Sequence, residues 1–194
     1  MCLDMYELAN YEEGGREMNK IMVIGVSAGA GKSTFARRLG ELTGIEVTHL
    51  DCLYWKPNWV EAPPEEFSAS QQQVVQNDQW IIEGNYTGTF TIRESYADTV
   101  IYLELPLRVC LYRVLKRRVQ FHGKTRNDIA EGCKEKIDKA FLKFILTTYG
   151  PRKKTMIERM QRYIGEEKTV HYLKSSKQIE LFLKTYKKSK ANCV

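Results

Sequence analysis

Ala28 to Thr34 reads Ala-Gly-Ala-Gly-Lys-Ser-Thr and follows the apolar run Lys20 to Gly25. Glycines at this spacing let successive backbone N–H groups turn inward around an anion. A lysine at the end of such a loop adds a mobile positive charge, and the serine hydroxyl beside it suits a hard divalent cation. The chemistry these residues can do is to hold a chain of phosphates. Gly29, Ala30, Gly31 and Thr34 would contribute through the backbone, Lys32 on the outer phosphates and Ser33 on a metal ion. The usual spacing, G-x-x-x-x-G-K-[ST], puts the first glycine at position 26. This chain has Val26 there and Gly25 one residue earlier. Either the loop is one residue longer, or Val26 takes a conformation where glycine is customary.

Downstream residues suggest what would be done with the phosphates. Asp51, in His-Leu-Asp-Cys-Leu-Tyr-Trp, follows an apolar run. A carboxylate there can orient an acceptor hydroxyl, take its proton or hold a metal-bound water; it can also serve only as a helix N-cap. Glu83 ends Trp-Ile-Ile-Glu and suits a place in the water shell of Mg²⁺. Glu104 is a weaker rival, because the alternation in its strand points it away. Arg113 and Arg117 are four apart and share a helix face. With Arg118, Lys124 and Arg126 they form a cationic cluster able to clamp a triphosphate and offset charge during phosphoryl transfer. Arg93 could grip an acceptor phosphate, or be a surface arginine. Trp55, with Tyr54 and Trp59, could cover a ring-bearing or apolar acceptor, or pack into the core.

These residues need elements to position them. Apolar runs at 20–25, 45–50, 79–86, 98–105 and 168–173 predict five strands, with helical patterns at 33–42, 64–77, 107–121, 129–146, 151–164 and 177–187. Strands alternating with helical crossovers predict an α/β fold whose parallel sheet is covered on both faces. The chain has 194 residues and a net charge of +6, which suits one domain with a phosphate-rich partner. Its five cysteines lack a CxxC pair, which fits reduced thiols in a cytoplasmic protein. No stretch reaches the ~20 apolar residues of a membrane helix. Residues 1–19 read as an extension, with translation starting at Met18, and 187–194 as a frayed basic tail.

Together these residues resemble the P-loop proteins related to the nucleoside monophosphate kinases. The nearer likeness is to the bacterial adenylate-kinase-related family labelled "DNA topology modulation protein". It is carried by GAGKST, HLDCLYWKPNWVE, WIIEGNYTGTFTIRESYADTVIYLELP, RVLKRR and EGCKEKIDKAFLKFIL. The resemblance implies a three-layer P-loop fold over 20–186, strand order 2-3-1-4-5 and a lid near 118–130. It places Arg113 by the adenine and Arg117 on the phosphates. The acceptor motif Gly-Phe-Pro-Arg of adenylate kinases is replaced by Gly-Asn-Tyr-Thr. The expectation is an ATP- and Mg²⁺-dependent kinase acting on a small molecule or nucleotide. Its rival is an ATP-binding switch that associates with DNA.

Overall fold

The computed structural model describes residues 18–123, 128–133 and 137–191, with side chains through 187. Residues 1–17, and with them most of the expected extension, lie outside the described residues. In chain order the elements begin with β1 (Lys20–Gly25), α1 (Lys32–Thr43), β2 (Val47–His49) and α2 (Leu50–Tyr54). A short hairpin follows, β3 (Trp55–Lys56) and β4 (Val60–Glu61), then α3 (Pro64–Val75), β5 (Trp80–Glu83), α4 (Phe90–Glu94) and β6 (Thr99–Leu103). The chain closes with α5 (Leu107–Gln120), α6 (Lys139–Gly165), β7 (Thr169–Leu173) and α7 (Ser176–Ala191).

The main sheet has five parallel strands in the order β2-β5-β1-β6-β7. Counted within that sheet alone this is 2-3-1-4-5, the expected order; the hairpin only shifts the labels. Every residue of β5 and β6 is buried, as an apolar run in a sheet covered on both faces requires. On one face α1 buries Phe35, Ala36 and Leu39 and meets α7 through Phe35 and Phe182, whose ring centroids are 5.8 Å apart. On the other, α6 buries Ile145, Met156, Met160 and Tyr163. All parallel strands end at one edge, and that edge carries the phosphate loop.

Two helical expectations change. The first turn of the expected 129–146 helix is absent: residues 128–133 form turns, and α6 begins at Lys139, where the Asp138 carboxylate accepts from the Phe141 N–H at 2.8 Å. The expected break at Pro151 is absent too, and α6 runs through it. Proline removes one helical hydrogen bond, but burial of Ile145 before it and of Met156 and Met160 after it holds both halves to one core. The Tyr149 hydroxyl adds a 2.9 Å bond to the Leu105 carbonyl. The basic tail also begins later than expected, since α7 continues to Ala191. Among the described residues no helix is long and apolar enough to cross a membrane.

Candidate active site

The phosphate loop leaves β1 without the irregularity that Val26 raised. Val26 is fully buried, and its N–H donates to the Leu103 carbonyl at 2.9 Å, extending the sheet by one rung. The left-handed residues of the loop are Gly29 (φ 79°) and Gly31 (φ 94°). The loop is therefore longer by one residue, and Val26 takes no glycine conformation. Gly29 has a second reason to be glycine: a Cβ there would overlap the backbone carbonyl of Cys110 on α5. Gly31 caps α1 with no side-chain hydrogen bond, so the first-turn N–H groups of Lys32, Ser33 and Thr34 face the loop without helical acceptors. Such an end favours an anion. The Lys32 ammonium lies 3.5 Å from the Ser27 carbonyl, folded over the loop.

Four consecutive residues at the end of β5 frame the site. Glu83, buried to 2% exposure, accepts from His49 Nδ1 at 2.8 Å. Burial alone would lower the His49 pKa; the hydrogen bond and charge of Glu83 outweigh it, with smaller help from Asp128 and Asp51, and the net shift is upward. Gly84 has φ 134°, and a Cβ there would come within 2.8 Å of Leu50 Cβ, so only glycine lets the chain pass. The Asn85 amide accepts from the Gly25 N–H at 3.0 Å and donates to the Gly25 carbonyl at 2.8 Å. Tyr86 donates its hydroxyl to Asp51 Oδ1 at 2.6 Å. Burial, then the Asp51 charge, push that phenol far above its ordinary pKa. Tyr86 does this at φ 29°, a strained value for a non-glycine residue. Its ring is held by Tyr54 at 4.8 Å and Phe67 at 5.0 Å.

Asp51 is not the N-cap of α2. It is the second residue of that helix, half-buried at the sheet edge beside Tyr86. Trp55 joins the same wall, edge-on to Tyr54 at 4.9 Å and to Trp59 at 5.2 Å. Arg113 reaches the phosphate loop: one guanidinium nitrogen donates to the Ala30 carbonyl at 3.3 Å, the other to the Ser176 hydroxyl at 3.0 Å. Arg117 is half-buried one turn further along α5. Arg126 lies outside the described residues. Glu104 turns away, as its alternation implied, bonding the Tyr172 hydroxyl and Lys153.

Arg93 is neither a surface arginine nor placed to grip an acceptor. It is fully buried. Its guanidinium donates to Gln71 of α3, to the Thr89 hydroxyl at 3.1 Å and to the Asn85 carbonyl at 3.0 Å. Burial lowers its pKa to about 10. From there it braces the turn that presents Asn85 and Tyr86. His49, Asn85 and Tyr86 are absent from the sequence-based candidates. Their signal lay only in the unusual Glu-Gly-Asn-Tyr run after a buried strand, because their partners are distant in sequence.

By sequence the chain is 30% identical over 128 residues to the uncharacterized protein YqaC of Bacillus subtilis (strain 168), spanning 64% of this chain and 69% of that protein. No family model matches. Among solved structures, the fold is similar to a gluconokinase from Sinorhizobium meliloti 1021, with TM-score 0.52, 15% identity, and coverage of 92% of this chain and 95% of that one. A shikimate kinase from Acinetobacter baumannii in complex with shikimate gives TM-score 0.49 and 16% identity over 90% of this chain and 94% of that one.

Proposed function

The chain belongs to one family with YqaC, and we propose that it is an ATP- and Mg²⁺-dependent kinase that transfers a phosphoryl group to a small-molecule or nucleotide acceptor. One observation carries this reading. A phosphate loop with its lysine and a half-buried carboxylate, Asp51, stand on the same sheet edge and are tied together by Asn85 and Tyr86. A protein that only bound nucleotide would have no use for the second half of that arrangement.

The residues divide the work. The loop from Gly29 to Thr34 takes the phosphate chain, with Lys32 on its outer end. Arg113, packed on the loop, and Arg117 offset charge as the γ-phosphoryl leaves. Ser33 and Glu83, the latter through water, fit a hard cation that keeps most of its own water; His49 fixes Glu83 for that role. Bound Mg²⁺ would supply charge neutralisation between the outer phosphates. Asp51, oriented by Tyr86, places the acceptor hydroxyl and accepts its proton. Trp55 and its aromatic neighbours wall the acceptor. Arg126 would join from the lid when it closes over the site, excluding water.

The test is ADP release from ATP·Mg²⁺ across a panel of nucleosides, nucleoside monophosphates and small hydroxylated metabolites, with a parallel set containing plasmid DNA. Acceptor-dependent release that Lys32→Ala abolishes while the fold survives is the expected result. Release stimulated by DNA alone would replace this reading by the DNA-associated switch and move the chain towards the topology-modulation label.

A further inference from the structure

A groove of about 250 Å³ opens between Thr87 and the middle of α6, lined there by Thr147, Thr148, Arg152 and Thr155. Thr87 follows directly on Tyr86, the residue that holds Asp51, so the groove adjoins the proposed acceptor wall. Its volume is below that of a whole small-molecule site and suits one substituent of a larger molecule.

The donors in the groove are few and well defined. Thr147, Thr148 and Thr155 give their hydroxyl hydrogens back to the carbonyls of Lys143, Phe144 and Pro151 on their own helix, at 2.9, 2.7 and 3.2 Å. Their hydroxyl hydrogens are therefore already committed. The Thr87 hydroxyl is exposed and makes no protein hydrogen bond among the described residues. Arg152 is half-buried over the Phe144 ring at 5.2 Å, and burial lowers its pKa. Its neighbours on α6 are matched with acids: Lys153 with Glu104 at 2.8 Å, Arg159 and Arg162 with Glu94 at 3.0 and 2.8 Å. Among the described residues Arg152 has no carboxylate partner. Nearby, the Tyr102 hydroxyl is buried with no hydrogen-bond partner among the described residues, and Arg152 is close enough to act on it electrostatically. A partly desolvated guanidinium without an acid is costly to keep unless a ligand supplies the anion.

We propose that this groove takes an anionic substituent of the phosphoryl acceptor, carboxylate or phosphate, with Arg152 as its charge partner and Thr87 as a second donor. This rests on the phosphoryl-transfer reading and narrows the acceptor to an acid. A guanidinium holds either oxyanion through paired N–H donors.

Two measurements test it separately from the reaction. Arg152 is modified with phenylglyoxal and mapped by mass spectrometry, with a non-hydrolysable ATP analogue present to fill the phosphate loop. Gluconate against sorbitol gives the carboxylate arm, and adenosine monophosphate against adenosine the phosphate arm. Protection by at least one acid, and by neither neutral partner, is expected, and the protecting arm identifies the anion. Equal modification in all arms, or none at Arg152 in any, overturns the anion site. In the turnover assay Arg152→Gln should raise KM for the acidic acceptor by about 10- to 100-fold, leaving kcat and the ATP KM unchanged. An equal effect on neutral acceptors overturns the assignment. Wild-type protein that turns over no acceptor would sink the kinase reading and the acceptor role of the groove together, whereas the labelling decides the anion site alone.

Discussion

Asn85 gives the sharpest test of how the site is built. Its amide makes two hydrogen bonds to one residue, accepting from the Gly25 N–H at 3.0 Å and donating to the Gly25 carbonyl at 2.8 Å. Asn85→Ala removes both and leaves two polar groups of a buried glycine unpaired. Each unpaired buried group costs about 1–3 kcal/mol. Asn85 itself is half-buried, so water can reach part of the gap, and the lower half of that range applies to each group: about 2–4 kcal/mol in all. In urea, with a slope of about 2 kcal/mol per molar, the midpoint should fall by about 1–2 M. Gly25 ends β1 just before the phosphate loop, so affinity for an ATP analogue should fall about tenfold as the loop loses its register. Asn85→Asp separates the two effects. It keeps the acceptor for the Gly25 N–H but loses the donor and sets a negative charge beside the phosphates, so it should weaken nucleotide binding more than alanine does. An alanine variant within about 0.5 kcal/mol of the parent, with unchanged nucleotide affinity, would refute this account of the joint.

Three further outcomes follow from the same geometry. Because the folded-state pKa of His49 is raised, the charged His49–Glu83 pair contributes fully below the ordinary histidine value of about 6.5 and is lost as pH rises through the folded value. His49→Gln should flatten that decline in urea unfolding measured from about pH 5.5 to 8.5; a slope equal to the parent's would contradict the pairing. Gly29→Ala should cost more than the about 1 kcal/mol of a strained left-handed residue, since the Cys110 carbonyl must also move, and should abolish nucleotide binding in a calorimetric titration. Pro151→Ala should raise thermal stability by about 1–2 kcal/mol by restoring a helical hydrogen bond to Thr147; a lower melting temperature would mean that α6 is bent to suit the proline.

What could be read from sequence follows from how local each cause is. The five strands are legible because a sheet covered on both faces demands uninterrupted apolar runs, and Lys20–Gly25 and Thr99–Leu103 are such runs. The phosphate loop is legible because its glycines, Lys32 and Ser33 all act within a few residues. The continuity of α6 is not, since Gly150-Pro151 is a local stop and only tertiary burial of Ile145, Met156 and Met160 overrides it. Nor is the brace made by Arg93: an arginine among polar residues looks exposed until Gln71 and Asn85 are folded around it. His49, Asn85 and Tyr86 pair across 34, 60 and 35 residues, and no local pattern announces such partners.

The strand order explains why those partners meet. β5 lies between β2 and β1, and Glu83 stands level with His49 on one side and Val23 on the other. Two residues further, the same register carries Asn85 to Gly25, the last residue of β1 before the phosphate loop, and brings Tyr86 within reach of Asp51, two residues past His49. Strand order 2-3-1 thus makes the end of β5 a place from which a single tetrapeptide can touch both the phosphate loop and Asp51, the proposed triphosphate and acceptor sides. Phosphoryl transfer depends on holding those two sides in a fixed relation, since misplacement by about 1 Å costs about 100-fold in rate. The strain at Tyr86 and the glycine at 84 are what that fixed relation requires of the backbone. A change that relaxed either residue while sparing the phosphate loop should therefore leave nucleotide binding intact and reduce turnover.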